Sequence, residues 1–208
     1  MAESRTGKDS LPELPTYLVI QQQLIDARDM LDREVSRLRR MHAFNAQALR
    51  LANDNEFIQA VGEAIVDIFE LEFGICWRLD ESGEVSPLIG ALGIQANAGE
   101  LQKAGARLAT FMASTSGLQV KVLGPEVLAD IAPGLSIDQA ICSHWPDAEG
   151  RASALILGGN TALGTKFFDA VTPELVQTFV IFAQQLAALM ENRKGRATIE
   201  RQMADLVR

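Results

Sequence analysis

Phe73-Gly74-Ile75-Cys76-Trp77-Arg78-Leu79-Asp80-Glu81-Ser82-Gly83-Glu84 is the stretch that decides the fold class. Phe73, Ile75, Trp77 and Leu79 alternate with Gly74, Cys76, Arg78 and Asp80, the period of a half-buried strand. Glu81-Ser82-Gly83-Glu84 supplies a turn, and Val85 to Leu92 reads as a second strand, so the pair is a hairpin. Immediately upstream the period is helical. Phe57, Val61, Ile65, Ile68 and Phe69 fall on one side of a helix from about Asn55 to Glu70. The cap-rich Asn53-Asp54-Asn55 precedes it, with Asp54 the expected acceptor for the first free N–H groups.

Downstream, Asn97 with Glu100 has the spacing of a capping box that opens a helix to about Thr115, with Leu101, Leu108, Phe111 and Met112 inward. Gln119 to Leu123 reads as a short strand, and Gly124-Pro125 starts one or two helical turns through Ala129. Asp138 to Trp145 is expected to be a strand, Pro146 to Gly150 a turn, and Arg151 to Leu157 the most apolar strand, ended by Gly158-Gly159-Asn160. Thr172-Pro173-Glu174 is a strong helix start, and that helix is expected to run to about Lys194. Strands joined by short turns favour an antiparallel sheet, and helices at both chain ends can cover one face of it, which makes the class α+β.

Both ends carry helical seams. Leu24, Leu31 and Leu38 recur every seven residues, with Ala27 and Met41 adjoining, and Asn45 follows at the same heptad position, where a polar residue can fix register. At the other end Leu175, Phe179, Phe182, Leu186 and Leu189 form one stripe. Ile199, Met203 and Leu206 suggest a second, past a weak joint at Gly195. The expected organisation is a disordered leader (1–15), a dimerisation helix (16–52), a compact domain (53–194) and a linker helix (195–208) leading to an output domain.

The 208 residues are 48% hydrophobic, enough for one ordinary core plus helical extensions. A net charge of −8 disfavours nucleic acid as the partner, since that role needs a cationic footprint. No run of apolar residues is long enough to cross a membrane, and residues 1–15 lack an apolar signal core. A cytoplasmic setting follows as the expectation, with Cys76 and Cys142 as buried thiols.

The order of elements, with the Gly74–Asp80 strand and its Gly83 turn, resembles the GAF domain of bacterial signalling proteins. So do Leu155-Ile156-Leu157-Gly158, Phe168-Asp169, Thr172-Pro173-Glu174-Leu175 and the helix Phe182 to Asn192. The resemblance covers roughly Asp54 to Arg193, and Ile199-Glu200-Arg201-Gln202-Met203 is similar to the linker that leads from such domains into a histidine kinase. It implies a PAS-related antiparallel sheet with a helical bundle on one side and a small-molecule pocket on the other. It implies a sensory or dimerising module of a two-component type, not an enzyme. Ligands across the family include cyclic nucleotides, bilins, haem and metabolites, so the cofactor stays unknown. Phe111, Ser114 and Thr115, ending the middle helix, are pocket-wall residues on the resemblance alone.

Cys142-Ser143-His144-Trp145 is the most suggestive cluster. Strand alternation sends Cys142 and His144 to one face, and Ile141, Ser143 and Trp145 to the other. His144 is then either a hydrogen-bonded strand residue or a polar contact in a ligand pocket. Bilin-binding relatives often place the attachment cysteine directly before a histidine, whereas Ser143 intervenes here. Trp77 is open to two roles, core filler or ligand-orienting donor. Gly159 to Lys166 nearly spells a phosphate loop, but Thr165 precedes Lys166 and no helix begins there. No metal set is expected from two histidines and two cysteines in different segments.

These readings predict a cytoplasmic sensory module that binds a small molecule, pairs as a homodimer and relays to an output domain. The ligand contacts would be Trp77, Phe111, Ser114, Thr115, Cys142 and His144. The pairing residues would be Leu24, Leu31, Leu38, Met41, Leu175, Phe179, Phe182, Leu186 and Leu189. The alternative is a ligand-free dimerisation or scaffold module.

Overall fold

The computed structural model describes residues 14–51, 53–80, 82–113, 120–146 and 152–206. The chain divides into two units, 1–36 and 37–208. Helix α1 (Leu14–Ala48) runs through the first and into the second. It starts at Leu14 and ends at Ala48, where residues 16 and 52 were the expected bounds. Residues 1–13 of the expected leader lie outside the described residues. In the first unit Tyr17, Leu18, Val19, Ile20, Leu24 and Leu31 are all exposed.

The second unit is built on five strands: β1 (Phe73–Leu79), β2 (Val85–Leu92), β3 (Val120–Leu123), β4 (Ile137–Pro146) and β5 (Ala152–Thr161). Their order is β2-β1-β5-β4-β3, and every neighbouring pair is antiparallel. The expected hairpin is β1–β2, closed by Gly83 at φ 82°. The sheet is therefore a two-sided layer, with helices α2 (Asp54–Phe69) and α5 (Pro173–Leu206) and the end of α1 on one side. Helices α3 (Ala98–Ala113) and α4 (Pro125–Ile131) cover the other.

Strand alternation sorts the core into two clusters. Cys76, Ile141, Trp145, Ala154 and Ile156 face α1, α2 and α5. Phe73, Ile75, Trp77, Cys142, Leu155 and Leu157 face α3 and α4. The α1/α2/α5 side is aromatic: Phe69 and Phe179 have centroids 4.9 Å apart, Phe69 and Phe182 5.5 Å, and Phe44 and Phe182 5.7 Å.

Helix α2 lies unusually close to the sheet because the strands beneath it carry glycine. A Cβ on Gly90 would sit 2.1 Å from Ile58 O, one on Gly74 2.3 Å from Gly62 O, and one on Gly158 2.5 Å from Ile65 Cγ2. This corrects the reading of Gly158-Gly159-Asn160 as the end of a strand. β5 continues through them to Thr161, because glycine inside a strand marks close approach of another backbone as readily as a break.

Three further expectations change. Asn53, not Asp54, caps α2: its side chain accepts from Glu56 N at 2.8 Å, leaving Asp54 free to pair with Arg78 and Arg193. Gly195 does not interrupt α5, which runs unbroken through it. Met41, Leu175, Phe179, Phe182, Leu186 and Leu189 are not a pairing surface, since all are buried in this chain's own core. A helical stripe requires cover, and here the sheet and α1 supply it. Asn45 likewise meets its own chain, donating to Gln185 Oε1 at 2.6 Å.

Candidate functional site

Of the residues expected to bind a ligand, Trp77, Phe111, Cys142 and His144 lie on the α3–α4 side of the sheet. Helix α3 is opened there by the capping box: Glu100 N donates to Asn97 Oδ1 at 3.0 Å, and Asn97 N donates to Glu100 Oε2 at 3.1 Å. Trp77 is fully buried on this side, and its indole N–H donates to Leu101 O at 2.9 Å. A Cβ on Gly105 would come within 2.8 Å of the indole, so α3 rests directly on the ring. Trp77 is thus core filler and donor at once, and the partner of its N–H is the helix.

Cys142 is buried, with Sγ 3.9 Å from Met112 Sδ. Burial pushes its thiol up to about 12, against a smaller opposing pull from the Lys121 charge and backbone. It is therefore protonated at neutral pH and a poor nucleophile. Burial raises the Cys76 thiol further still. Phe111 is half-buried, with Lys121 Nζ 4.7 Å from its ring centroid. His144 is buried on β4 opposite Leu155, two residues from Cys142 and on the same face, while Ile141 and Trp145 point to the other, as alternation requires. Ser114 and Thr115 lie outside the described residues.

Among the described residues, open clefts border the domain on both sides of the sheet. One, of about 520 Å³, lies between the start of β2 and the outer face of α3, lined by Gly83, Glu84, Val85, Gln102, Ala106, Ala109, Thr110 and Ala113. The other, of about 270 Å³, separates α1 from α2, with Arg40, Phe44, Glu63 and Asp67 on its walls. Neither was visible in the sequence. Each lining is drawn from segments far apart in the chain, so no local spacing marks it.

The near-phosphate loop is closed by a carboxylate. Glu72 accepts from Thr161 N at 2.6 Å and Thr161 Oγ1 at 3.0 Å, and Gly164 N donates to that hydroxyl at 3.0 Å. A phosphate there would meet a like charge. Among the described residues, no three His, Cys, Asp or Glu side chains gather to hold a metal ion. None of the described helices is long and apolar enough to cross a membrane.

At the edge of the α1/α2/α5 side, Asp54 joins three elements. It pairs with Arg78 of β1 and, at 3.3 Å, with Arg193 of α5. Arg193 also donates to Leu51 O at 2.8 Å and stands 5.0 Å over the Phe57 ring. This knot holds α5 to the sheet at the point where the helix leaves the core.

No protein-family model matches the sequence, and no curated relative matches it. Solved structures do match in fold. The GAF domain of a putative sensor histidine kinase from Pseudomonas syringae pv. tomato superposes with a TM-score of 0.56 at 16% identity, over 84% of this chain and 99% of that one. The GAF domain of an Acinetobacter phosphoenolpyruvate-protein phosphotransferase gives 0.54 at 10% identity, over 76% and 94%. A free methionine-R-sulfoxide reductase from Neisseria meningitidis, solved with its substrate, gives 0.54 at 11% identity, over 75% and 89%. With the antiparallel sheet, its two helical covers and the terminal helices in place, the chain has the fold of a GAF domain.

Proposed function

We propose that this chain is a sensory GAF module of a signalling protein. In this reading a small molecule held on the α3–α4 side of the sheet biases the packing of terminal helices shared by two chains. The bias then passes to an output domain, a histidine kinase in the leading case. The observation that carries the reading is α5 itself. One unbroken helix begins under the sheet, where Leu175, Phe179 and Phe182 are buried, and runs on until Ile199 and Met203 are exposed. A rigid element that is half core and half extension is suited to carry a change in the core outwards.

The required effect is small. A ligand that prefers one helix packing by about 1.4 kcal/mol shifts the equilibrium tenfold. Pairing through α1 uses Leu24, Leu31 and Leu38, which are 66%, 64% and 46% exposed. The test is sedimentation equilibrium at micromolar protein. The native chain is expected to sediment as a dimer and Leu31→Asp/Leu38→Asp as a monomer; an unchanged mass in the double variant removes the α1 pairing. A thermal-shift series with nucleotides, haem and metabolites tests the ligand.

One observation favours a second reading, a ligand-free dimerisation module. Trp77 fills the space under Gly105, and Met112 lies against Cys142, so this part of the α3 side is closely packed. Absence of stabilisation by every compound in the thermal-shift series would favour it. An enzymatic role through Cys142 has little support, because burial holds its thiol protonated.

A further inference from the structure

Trp77 and Arg78 are adjacent in β1, and their side chains leave opposite faces of the sheet. Each ties β1 to a different layer. Trp77 donates to Leu101 O of α3 at 2.9 Å, and a Cβ on Gly105 of the same helix would lie 2.8 Å from its indole. Arg78 pairs with Oδ2 of Asp54 at the start of α2, and the other oxygen of that carboxylate accepts from Arg193 of α5 at 3.3 Å. Both ties therefore hang on one peptide unit, which is planar and stiff.

Arg193 holds α5 where the helix leaves the domain. Leu189 and Met190 are buried just before it, and every described α5 side chain after it is exposed. It also donates to Leu51 O at 2.8 Å, so the exit of α5 is fastened to the end of the α1 segment as well as to α2. The β1 segment between these ties is irregular. The β1–β2 register shifts between Trp77 and Leu79, and such irregularities disrupt the ladder locally and re-aim side chains.

We propose that Trp77 and Arg78 couple α3 to the exit of α5 across the sheet. A displacement of α3 tilts Trp77, and the shared peptide swings Arg78 on the opposite face. Asp54 is the point of transfer, because one carboxylate serves two guanidinium groups and cannot follow Arg78 without straining its bond to Arg193. The outer part of α5 is then held less firmly. This coupling rests on the proposed sensory reading, in which it carries the effect of a ligand from the α3 side, and it assigns that task to charged and aromatic side chains rather than to the apolar stripes.

Native-state hydrogen exchange on the full chain tests it, with the Phe179–Phe182 amides of α5 as the reference for global opening and circular dichroism as the check on folding. Trp77→Phe is expected to speed exchange of the α5 amides from Leu189 to Gly195 by at least about fivefold over that reference. Asp54→Asn alone opens the same link and is expected to do the same. With Asp54→Asn or Arg78→Gln already in place, adding Trp77→Phe is expected to change the ratio by less than about twofold, whereas independent structural losses would add. Coupling is reciprocal, so Arg193→Gln is expected to speed the α3 amides around Gly105. Full acceleration by Trp77→Phe in the Asp54→Asn and Arg78→Gln backgrounds, or none in the native one, overturns the coupling, and so does an Arg193→Gln variant whose α3 amides are unchanged. None of these measurements needs a ligand. Failure of every compound in the thermal-shift series therefore removes the sensory reading and not the coupling, while additive exchange in a chain that a compound stabilises removes the coupling and not the reading.

Discussion

The two sides of the sheet are built differently. Towards α1, α2 and α5 the cover is continuous, with interlocked Phe44, Phe69, Phe179 and Phe182 and a glycine floor that lets α2 sit close. Towards α3 and α4 the cover is a helix of 16 residues and one of 7, keyed by a single tryptophan. The larger set of buried apolar side chains and the aromatic contacts both favour the first side as the source of stability. The second side holds fewer large side chains and borders the open cleft beside α3, which makes it the side that can adjust. On the proposed function, the firm side would hold the output helix while the looser side would answer a ligand.

The strongest way to break this comparison is Phe182→Ala. It removes a ring that touches Phe44, Phe69 and Phe179, and a cost of about 3–5 kcal/mol is expected in urea unfolding. Trp77→Phe, on the other side, deletes the donor to Leu101 O and some volume under Gly105, for about 1–3 kcal/mol. If Trp77→Phe proves the more damaging of the two, the assignment of firm and adjustable sides is reversed. Asn97→Ala removes the α3 cap for about 1 kcal/mol. Hydrogen exchange in that variant should accelerate across α3 and leave α2 unchanged.

The smallest effect concerns the β1–β2 turn. The Asp80 carboxylate accepts from Ser82 Oγ at 2.6 Å and from Glu84 N and Ser82 N at 2.9 Å. The Ser82 side chain first, then the Glu84 backbone, hold it below its ordinary value. A carboxylate lowered on folding adds stability above its unfolded value and loses it as pH falls through the folded one. The Ser82 and Glu84 amides should therefore exchange relatively faster at pH below the usual carboxylate range, and Asp80→Asn should abolish that dependence.

Much of the fold was legible because local chemistry wrote it. The alternation at Phe73–Leu79, the Asn97–Glu100 box and the Thr172-Pro173-Glu174 start each specify a conformation within a few residues. Misreadings came where one local pattern serves two tertiary purposes. Gly158 and Gly159 carry the composition of a strand end, yet they sit mid-strand because α2 and the neighbouring strand β4 need the room. Strand alternation and the inward face of α3 bring Trp77, Phe111, Cys142 and His144 to one side of the sheet. That Trp77 and Cys142 are spent on Leu101 and Met112 depends on where α3 lands, which no spacing in the sequence encodes.

By itself the sequence determined the elements, their order and which positions on each must be covered, because these follow from backbone sterics and the periodicity of apolar side chains. Only the tertiary structure decided what does the covering. The Leu175–Leu189 stripe proved to face this chain's own core, while Ile181, Ile199 and Met203 of the same helix are left exposed. The physical reason is that burial is non-directional: a greasy stripe requires an apolar neighbour but does not distinguish the same chain from its copy until the whole molecule is packed.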